Sequence, residues 1–448
     1  METRNDLLEF VKRVDSIYES NKDFSIASAR DIVREINDFL YTTYDGIGTV
    51  EALGSEYQFV SEFHRYWNEH YMEILDAQID DVRCEQVADA LFMIYQTSNG
   101  KAFSGVYDTY GLSKADICRV RMLTANQEFR GSRTFKDYVE VFNEDNSIFD
   151  VKIINDSPYD FIKNIAVGEL AQTDKRLKYA TEITNMLLDK GCNPYELIDF
   201  YDRDVYALRN ALIEWNGAGY GNKKADMFVR DMVVLGVWDN VKNFDKIDVA
   251  SDVNTIKVAL RTGILKTAIP LVSSFLDIFC NQYGYIDKMT ADAWRRVWEI
   301  FVKKYPDTTI LSPCLFDYFV YNVVGRQFCK ESLYVFRGEE CGHSFVWHSG
   351  RNTTCQICYK ENQIKRPAVV VKRLLPCEHN EGNVAITKTD FYKEAVCCPN
   401  IVKCPFESIC QENGTAHMSP PKSISILGRT GWTDAYTNKG EGGGGLMA

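Results

Sequence analysis

Gly219-Tyr220-Gly221-Asn222-Lys223-Lys224-Ala225-Asp226 and, 25 residues further on, Ser251-Asp252-Val253-Asn254 are the stretches from which the rest of this chain is read. Before the first, residues 206–215 carry leucines on a helical stripe. After it, Ala225, Phe228, Val229 and Met232 fall at i, i+3, i+4 and i+7, so the spacing predicts a helix with one apolar face. Between the two predicted helices, small glycines leave successive backbone N–H groups free of side-chain cover. Such a turn at a helix N-terminus is an anion site, and phosphate is its natural ligand. Lys223 falls in that first turn. Asp252 opens a third predicted helix, with Val253, Ile256 and Leu260 on one face and Gly263 at its end. A helix N-terminus favours the ionised form of the carboxylate.

Gly219, Gly221, Lys223 and Ala225 fit the pattern G-x-G-x-K-x-A, and Asp252 follows at the start of a helix. This combination resembles the helix-hairpin-helix DNA glycosylase superfamily, which includes endonuclease III, MutY and the 8-oxoguanine glycosylases. A second stretch supports the likeness. Ser312-Pro313 reads as an N-cap with proline at the first helical position, and Leu315, Phe319 and Val323 form a stripe ending at Gly325-Arg326-Gln327-Phe328-Cys329. In the iron–sulfur branch of that superfamily a late helix ends in Gly-Arg and delivers the first cluster cysteine. A third stretch, Cys404-Pro405-Phe406-Glu407-Ser408-Ile409-Cys410, matches the branch's C-P-x4-C ending. The resemblance covers residues 170–330 and 397–410. It departs at Gly217-Ala218, where the family has Leu-Pro, and in a longer connection from hairpin to Asp252.

The resemblance implies a mostly α fold: a two-lobed helical helix-hairpin-helix core with a C-terminal cysteine-rich metal module. It implies that Asp252 is the essential carboxylate and Lys223 the amine nucleophile of bifunctional members. Gly217, Gly219, Tyr220, Gly221, Asn222 and Lys224 would form the hairpin surface on double-stranded DNA. Leu123-Thr124-Ala125-Asn126-Gln127 resembles the family segment that places polar side chains into the duplex, which nominates Asn126 and Gln127. For Lys223 to act as a nucleophile it must be partly neutral, and helix polarity together with Lys224 is expected to lower its pKa.

Of 14 cysteines, nine lie between Cys329 and Cys410; the other five (Cys84, Cys118, Cys192, Cys280, Cys314) sit in apolar, helical settings and read as buried thiols. The start, Met1-Glu2-Thr3-Arg4-Asn5-Asp6, has no apolar core, and the apolar residues 264–280 are interrupted by Lys266 and Asp277. The expectation is a monomer with no membrane span, in a reducing cytoplasm or at nucleoid or nuclear DNA, where clustered cysteines bind metal. Two sets emerge. By the resemblance, Cys329, Cys398 (or its neighbour Cys397), Cys404 and Cys410 would hold a [4Fe–4S] cluster. Between them lie Cys341-Gly342-His343, Cys355-Gln356-Ile357-Cys358 and Cys377-Glu378-His379, six candidates for four zinc positions. The first choice is Cys341, Cys355, Cys358 and Cys377.

The net charge of −12 is unevenly placed. Residues 1–100 hold 8 Lys and Arg against 20 Asp and Glu, whereas residues 101–448 balance 43 against 43. The expected organisation is an acidic helical region at 1–110, the helix-hairpin-helix core at 111–330, a Cys/His-rich module at 331–415 and a flexible tail at 416–448. His64 and His70, among Phe63, Tyr66, Trp67 and Tyr71, read as packing residues. Three functions fit: a DNA N-glycosylase that flips out and excises a damaged or modified base, with or without lysine-dependent lyase activity; a transferase or pyrophosphorylase-type enzyme of thymine hypermodification in phage DNA; or a non-catalytic DNA-binding protein. A carboxylate at position 252 argues against the last, since binding alone does not call for one.

Overall fold

The computed structural model describes residues 25–38, 48–50, 69–128, 134–165, 172–269, 283–329, 333–347, 354–374, 385–386, 404–411 and 424–426, with residues 9, 13, 16 and 66 singly. They are mostly helical, with little sheet. The helices used below are α1 (Ile26–Asp38), α2 (Asp81–Ser98), α3 (Lys114–Ala125), α4 (Phe135–Glu144), α5 (Val151–Asp156), α6 (Pro158–Ile165), α7 (Thr173–Lys190), α8 (Val205–Glu214), α9 (Asn222–Val234), α10 (Val253–Thr262), α11 (Tyr283–Lys304), α12 (Gln356–Asn362) and α13 (Glu407–Gln411). A π-helical segment spans Phe319–Phe328. A four-stranded sheet has the order β3-β1-β2-β4, from β1 (Leu333–Gly338), β2 (Ser344–Trp347), β3 (Ala368–Leu374) and β4 (Ala385–Ile386). No helix among the described residues is long and apolar enough to cross a membrane.

Two compact units are present, and neither is one continuous stretch. One joins 1–91, 253–293 and 321–448; the other joins 92–252 and 294–320. These bounds differ from the four consecutive regions expected above, because residues near the start of the chain pack with residues far along it. Within the first unit, Arg30 donates to the Ile74 carbonyl at 2.9 Å, Lys266 pairs with Asp80, and the Cys84 thiol faces the Ala293 carbonyl. The His70 and Tyr66 rings lie 4.4 Å apart, tilted at 34°; His64 lies outside the described residues.

The second unit is a helical body whose elements are fixed by local chemistry. Ser113 caps α3, Thr134 and Asp137 form a reciprocal capping box on α4, and Asp204 accepts from the Tyr206 and Ala207 amides at the start of α8. The apolar stripe of α9 is fully buried: Ala225, Phe228, Val229 and Met232 have no exposure. Phe228 meets Trp238 edge-to-face at 5.5 Å, and Trp238 donates to the Tyr195 carbonyl. Cys118 and Cys314 are buried thiols; burial raises the pKa of both, that of Cys314 to about 12. Cys192 is half-buried and Cys280 lies outside the described residues.

The opposite side of α9 carries buried charge. Asp231, with no exposure, accepts from Arg121 at 3.2 Å and from Arg230 at 2.5 Å; Arg121 also pairs with Glu128, and Arg230 with Asp317. Burial opposes the charged guanidinium of Arg121, but Glu128 and Asp231 outweigh it and its pKa is raised. Removing one member of such a group leaves a buried charge without compensation, which typically costs about 3–5 kcal/mol. Asp231→Ala is therefore expected to lower stability by about that amount in chemical denaturation. A loss below about 1 kcal/mol, the range of surface pairs, would show that Arg121 and Arg230 find other partners.

Candidate functional site

Helices α8 and α9 are joined by the glycine-bearing connection 215–221. Gly217 and Gly219 take φ of 90° and 78°, a region that side chains disfavour. Space matters as much as torsion. A Cβ on Gly219 would come within 2.5 Å of the Tyr179 ring, and one on Gly217 within 2.5 Å of Lys178 Cε. Gly221 differs: it is extended, and a Cβ there would meet nothing within 4 Å. Its backbone faces open space at the N-terminus of α9, the exposure an anion site requires. Arg209 on α8 fixes the pair of helices by a two-point contact with Asp226 (2.7 and 3.1 Å) and a third bond to Asn222 Oδ1 at 2.8 Å.

Lys223 and Asp252, 29 residues apart, come together: Nζ lies 3.6 Å from Oδ2. The lysine side chain is 46% exposed and the carboxylate 9%, so a mobile cation caps a nearly buried anion. The long connection between them does not separate them. Trp238 folds under α9, the Lys242 amide donates to the Arg203 carbonyl at 2.8 Å, and the Lys242 carbonyl accepts from Val205. The extra residues thus return to the start of α8 before the chain reaches Asp252. Next to it, the buried Ser251 hydroxyl has no partner among the described residues.

Three residues assigned to the DNA surface lie inside the protein instead. Asn126 and Gln127 are buried; Asn126 donates to the Tyr179 and Ala218 carbonyls (3.2 and 2.9 Å), and Gln127 to the Arg176 carbonyl at 3.2 Å. Tyr220 is buried too, its hydroxyl donating to the Met122 carbonyl at 2.6 Å. Burial pushes that phenol far above its usual range. These side chains hold the hairpin against α3 and α7. Gly221, Asn222 and Lys223 stay exposed.

Lys224 is also half-buried. Its ammonium donates to the Asn126 carbonyl at 2.9 Å and lies 5.8 Å from the Tyr179 ring, with Lys175 on the same ring at 5.7 Å. It is here that a lysine pKa falls, to about 8. Burial is the main cause; Lys223, Lys175 and Arg176 add to it and Glu128 opposes it. Because the folded value lies below the unfolded one of about 10.4, the unfolded chain holds this proton more tightly. The resulting penalty is complete below pH 8 and fades as pH rises from 8 to 10.4. Lys224→Met should therefore stabilise the protein at pH 7, with the gain over wild type shrinking towards pH 10 in denaturant titrations. A gain that does not change with pH would remove the amine from this account.

A second cluster lies in the sheet-bearing part of the other unit. The turn between β1 and β2 brings in Cys341 and His343, while Cys355 caps α12 and Cys358 sits in its first turn. Their ligand atoms all lie within 4.8 Å of one another: Cys341 Sγ is 3.6 Å from Cys355 Sγ, and His343 Nδ1 is 3.8 Å from Cys355 Sγ and 3.3 Å from Cys358 Sγ. Gly342 takes φ of 68°, and a Cβ on Gly338 would strike Cys341 Sγ at 2.3 Å, so both glycines are required by the turn. The local core has five buried residues, Phe336, Phe345, Cys355, Cys358 and Ala368, of which two are ligands. This Cys3His group could hold a metal ion. His343, one of the six candidates, joins the group, and Cys377 lies outside the described residues. A turn offers its ligands at i and i+2, and Cys341-Gly342-His343 was the signal for it.

Of the cysteines nominated for a cluster, Cys398 and Cys397 lie outside the described residues. Cys329 is buried at the end of the π-helical segment, its amide donating to the Val324 carbonyl and its carbonyl accepting from the buried Arg261 of α10 at 3.0 Å. Cys404 is buried, and Cys410, half-buried, lies on α13, which packs on α10. The three do not share the close spacing of a single-ion site. A cubane cluster holds its thiolates on a larger body, so that spacing leaves the assignment open to proposal.

No protein-family profile and no curated protein matches the sequence. The metal site is therefore best probed directly. Cys358→Ser and His343→Ala should each lower the ion content of the purified chain and destabilise the sheet-bearing module, whereas Cys377→Ser should leave the content of this site unchanged. Elemental analysis decides, and loss of the ion in Cys377→Ser would return that residue to the ligand set.

Proposed function

We propose that the protein is a DNA N-glycosylase that flips a damaged or modified base out of the duplex and breaks its glycosidic bond. The observation that carries this reading is the Lys223–Asp252 pair, 3.6 Å apart beside a glycine hairpin whose Gly221 backbone is open. The hairpin amides and the end of α9 would take a backbone phosphate. The breaking bond leaves positive charge on the sugar, and a fixed, nearly buried carboxylate stabilises that charge strongly. Asp252 plays this part and orients the attacking water. Hydrolysis needs only the carboxylate beside the sugar and a water molecule, and Asp252 lies at the hairpin for that role. Attack by Lys223 requires its proton to leave first, and Asp252 is the adjacent acceptor; a Schiff base and strand nicking would then follow.

The metals fit this reading as supports. A Cys3His set with all four positions taken by protein has the form of a structural zinc site. Cys329, Cys398, Cys404 and Cys410 are the proposed [4Fe–4S] ligands, which would link the end of the π-helical segment to the chain around α13.

Released free base, identified by mass spectrometry after incubation with DNA rich in modified bases, tests the proposal. Retained but altered bases would favour the transferase reading instead. Asp252→Asn should bind DNA and lose about 10²–10³-fold in release rate. Lys223→Gln should retain release if water is the nucleophile, and borohydride should then trap no adduct with wild type. Near wild-type turnover by Asp252→Asn would remove the carboxylate from the mechanism.

A further inference from the structure

Strand β3 lies at the edge of the metal module's sheet. Beyond Pro367, it pairs only with β1 among the described residues. Its centre is three consecutive valines, and all are open to solvent: Val369 is 45% exposed, Val370 43% and Val371 54%. Both faces of the strand are represented, because side chains alternate. A register shift opposite Val335 and Phe336 makes Val371 the extra residue of a bulge, a device that twists an edge out of line for sheet-to-sheet pairing.

Charge surrounds this apolar centre. Lys365 and Arg366 precede it and Lys372 and Arg373 follow it, with no carboxylate anywhere in residues 362–376. Arg337, exposed on β1, lies opposite Val369. Such a run stands out in a chain whose net charge is −12. A second copy laid edge to edge would bring like charges together, which is unfavourable.

We propose that β3 is a nucleic-acid contact that enters a groove of duplex DNA, separate from the glycine hairpin. The inference rests on DNA being this protein's partner. From Arg366 to Lys372 an extended strand covers roughly 20 Å, while a major groove is about 12 Å wide. The valines can therefore lie in the groove while the cations reach the phosphates on its two rims. Lysine and arginine at the rims would position the module. The valine methyls would meet base edges, thymine methyl groups above all. Fixing the strand falls to the metal site, since the Cys355 amide donates to the Arg366 carbonyl at 2.7 Å and the Glu339 amide to that of Pro367 at 3.1 Å.

Fluorescence anisotropy of the full chain on a short labelled, unmodified duplex tests this. Replacing Lys365 and Lys372 together by Gln should lower the slope of log affinity against log salt by about 2 and weaken binding roughly tenfold at moderate salt. The doubly charge-reversed Lys365→Glu, Lys372→Glu chain should weaken it further. Bound-metal content serves as the folding control; should the Glu pair lose metal, the Gln pair decides. An unchanged slope and affinity would overturn the proposal. So would Gln-pair losses confined to poly-glutamate or phosphatidylserine vesicles with duplex binding intact. A chain that binds duplex through β3 yet releases no base from DNA rich in modified bases would sink the glycosylase reading and leave this one standing; base release from that DNA with an unaltered salt slope would do the reverse.

Discussion

The backbone of Gly219 lies so close to the face of Tyr179 that no side chain fits between them, and the geometry of the hairpin follows from that contact. With the loop pressed onto α7, Ala218 can offer its carbonyl to Asn126, and Tyr220 can reach Met122. Those bonds leave Gly221 as the first residue facing outward, which sets the start of α9 and the direction of Lys223. The Arg209 contacts to Asp226 and Asn222 act on the same few residues from α8. A tolerance of tenths of an ångström in one ring–backbone contact is thus transmitted to the amine that meets Asp252. Groups that must be held to such tolerance are best placed by packed helices and satisfied polar bonds.

The other unit solves its stability in a different way around the Cys3His group. Among the described residues the cluster beside it has five buried members, little apolar burial for a four-stranded sheet. An ion held by Cys341, His343, Cys355 and Cys358 would join the β1–β2 turn to the start of α12 and couple folding of this part to metal binding. The stack of Phe336 on Phe345 at 5.3 Å, across the same strands, then packs beside the ligands.

Much of the α9 region was legible in the sequence, for a physical reason. Ala225, Phe228, Val229 and Met232 declare a buried face through spacing alone, and glycines with positive φ announce a turn. The meeting of Lys223 with Asp252 was legible only through a motif, since spacing says nothing about how a long connection folds back. The burial of Asn126, Gln127 and Tyr220 was not legible, because polar atoms on a loop suggest solvent. Their partners are main-chain carbonyls contributed by other segments, which no local pattern reveals. The place of His343 in the group follows from the turn that brings it beside Cys341. The exposure of Val369, Val370 and Val371 on β3 is visible only in the folded strand, since a run of valines carries no period that tells solvent from core.

The interleaving of the two units has a consequence for the order of events during synthesis. A chain is made from its first residue onward, and domains tend to close as units while it emerges. Residues 92–252 form most of one unit and are complete once residue 320 has been made. The other unit needs residues near 30 and 80 together with 266, 293 and the metal-bearing strands beyond 333. Its early helices must therefore wait, with their acidic surfaces exposed, until almost the whole chain is available. The surplus carboxylates of residues 1–100 would oppose self-association of that waiting segment by mutual repulsion, a use for negative charge that precedes any finished site.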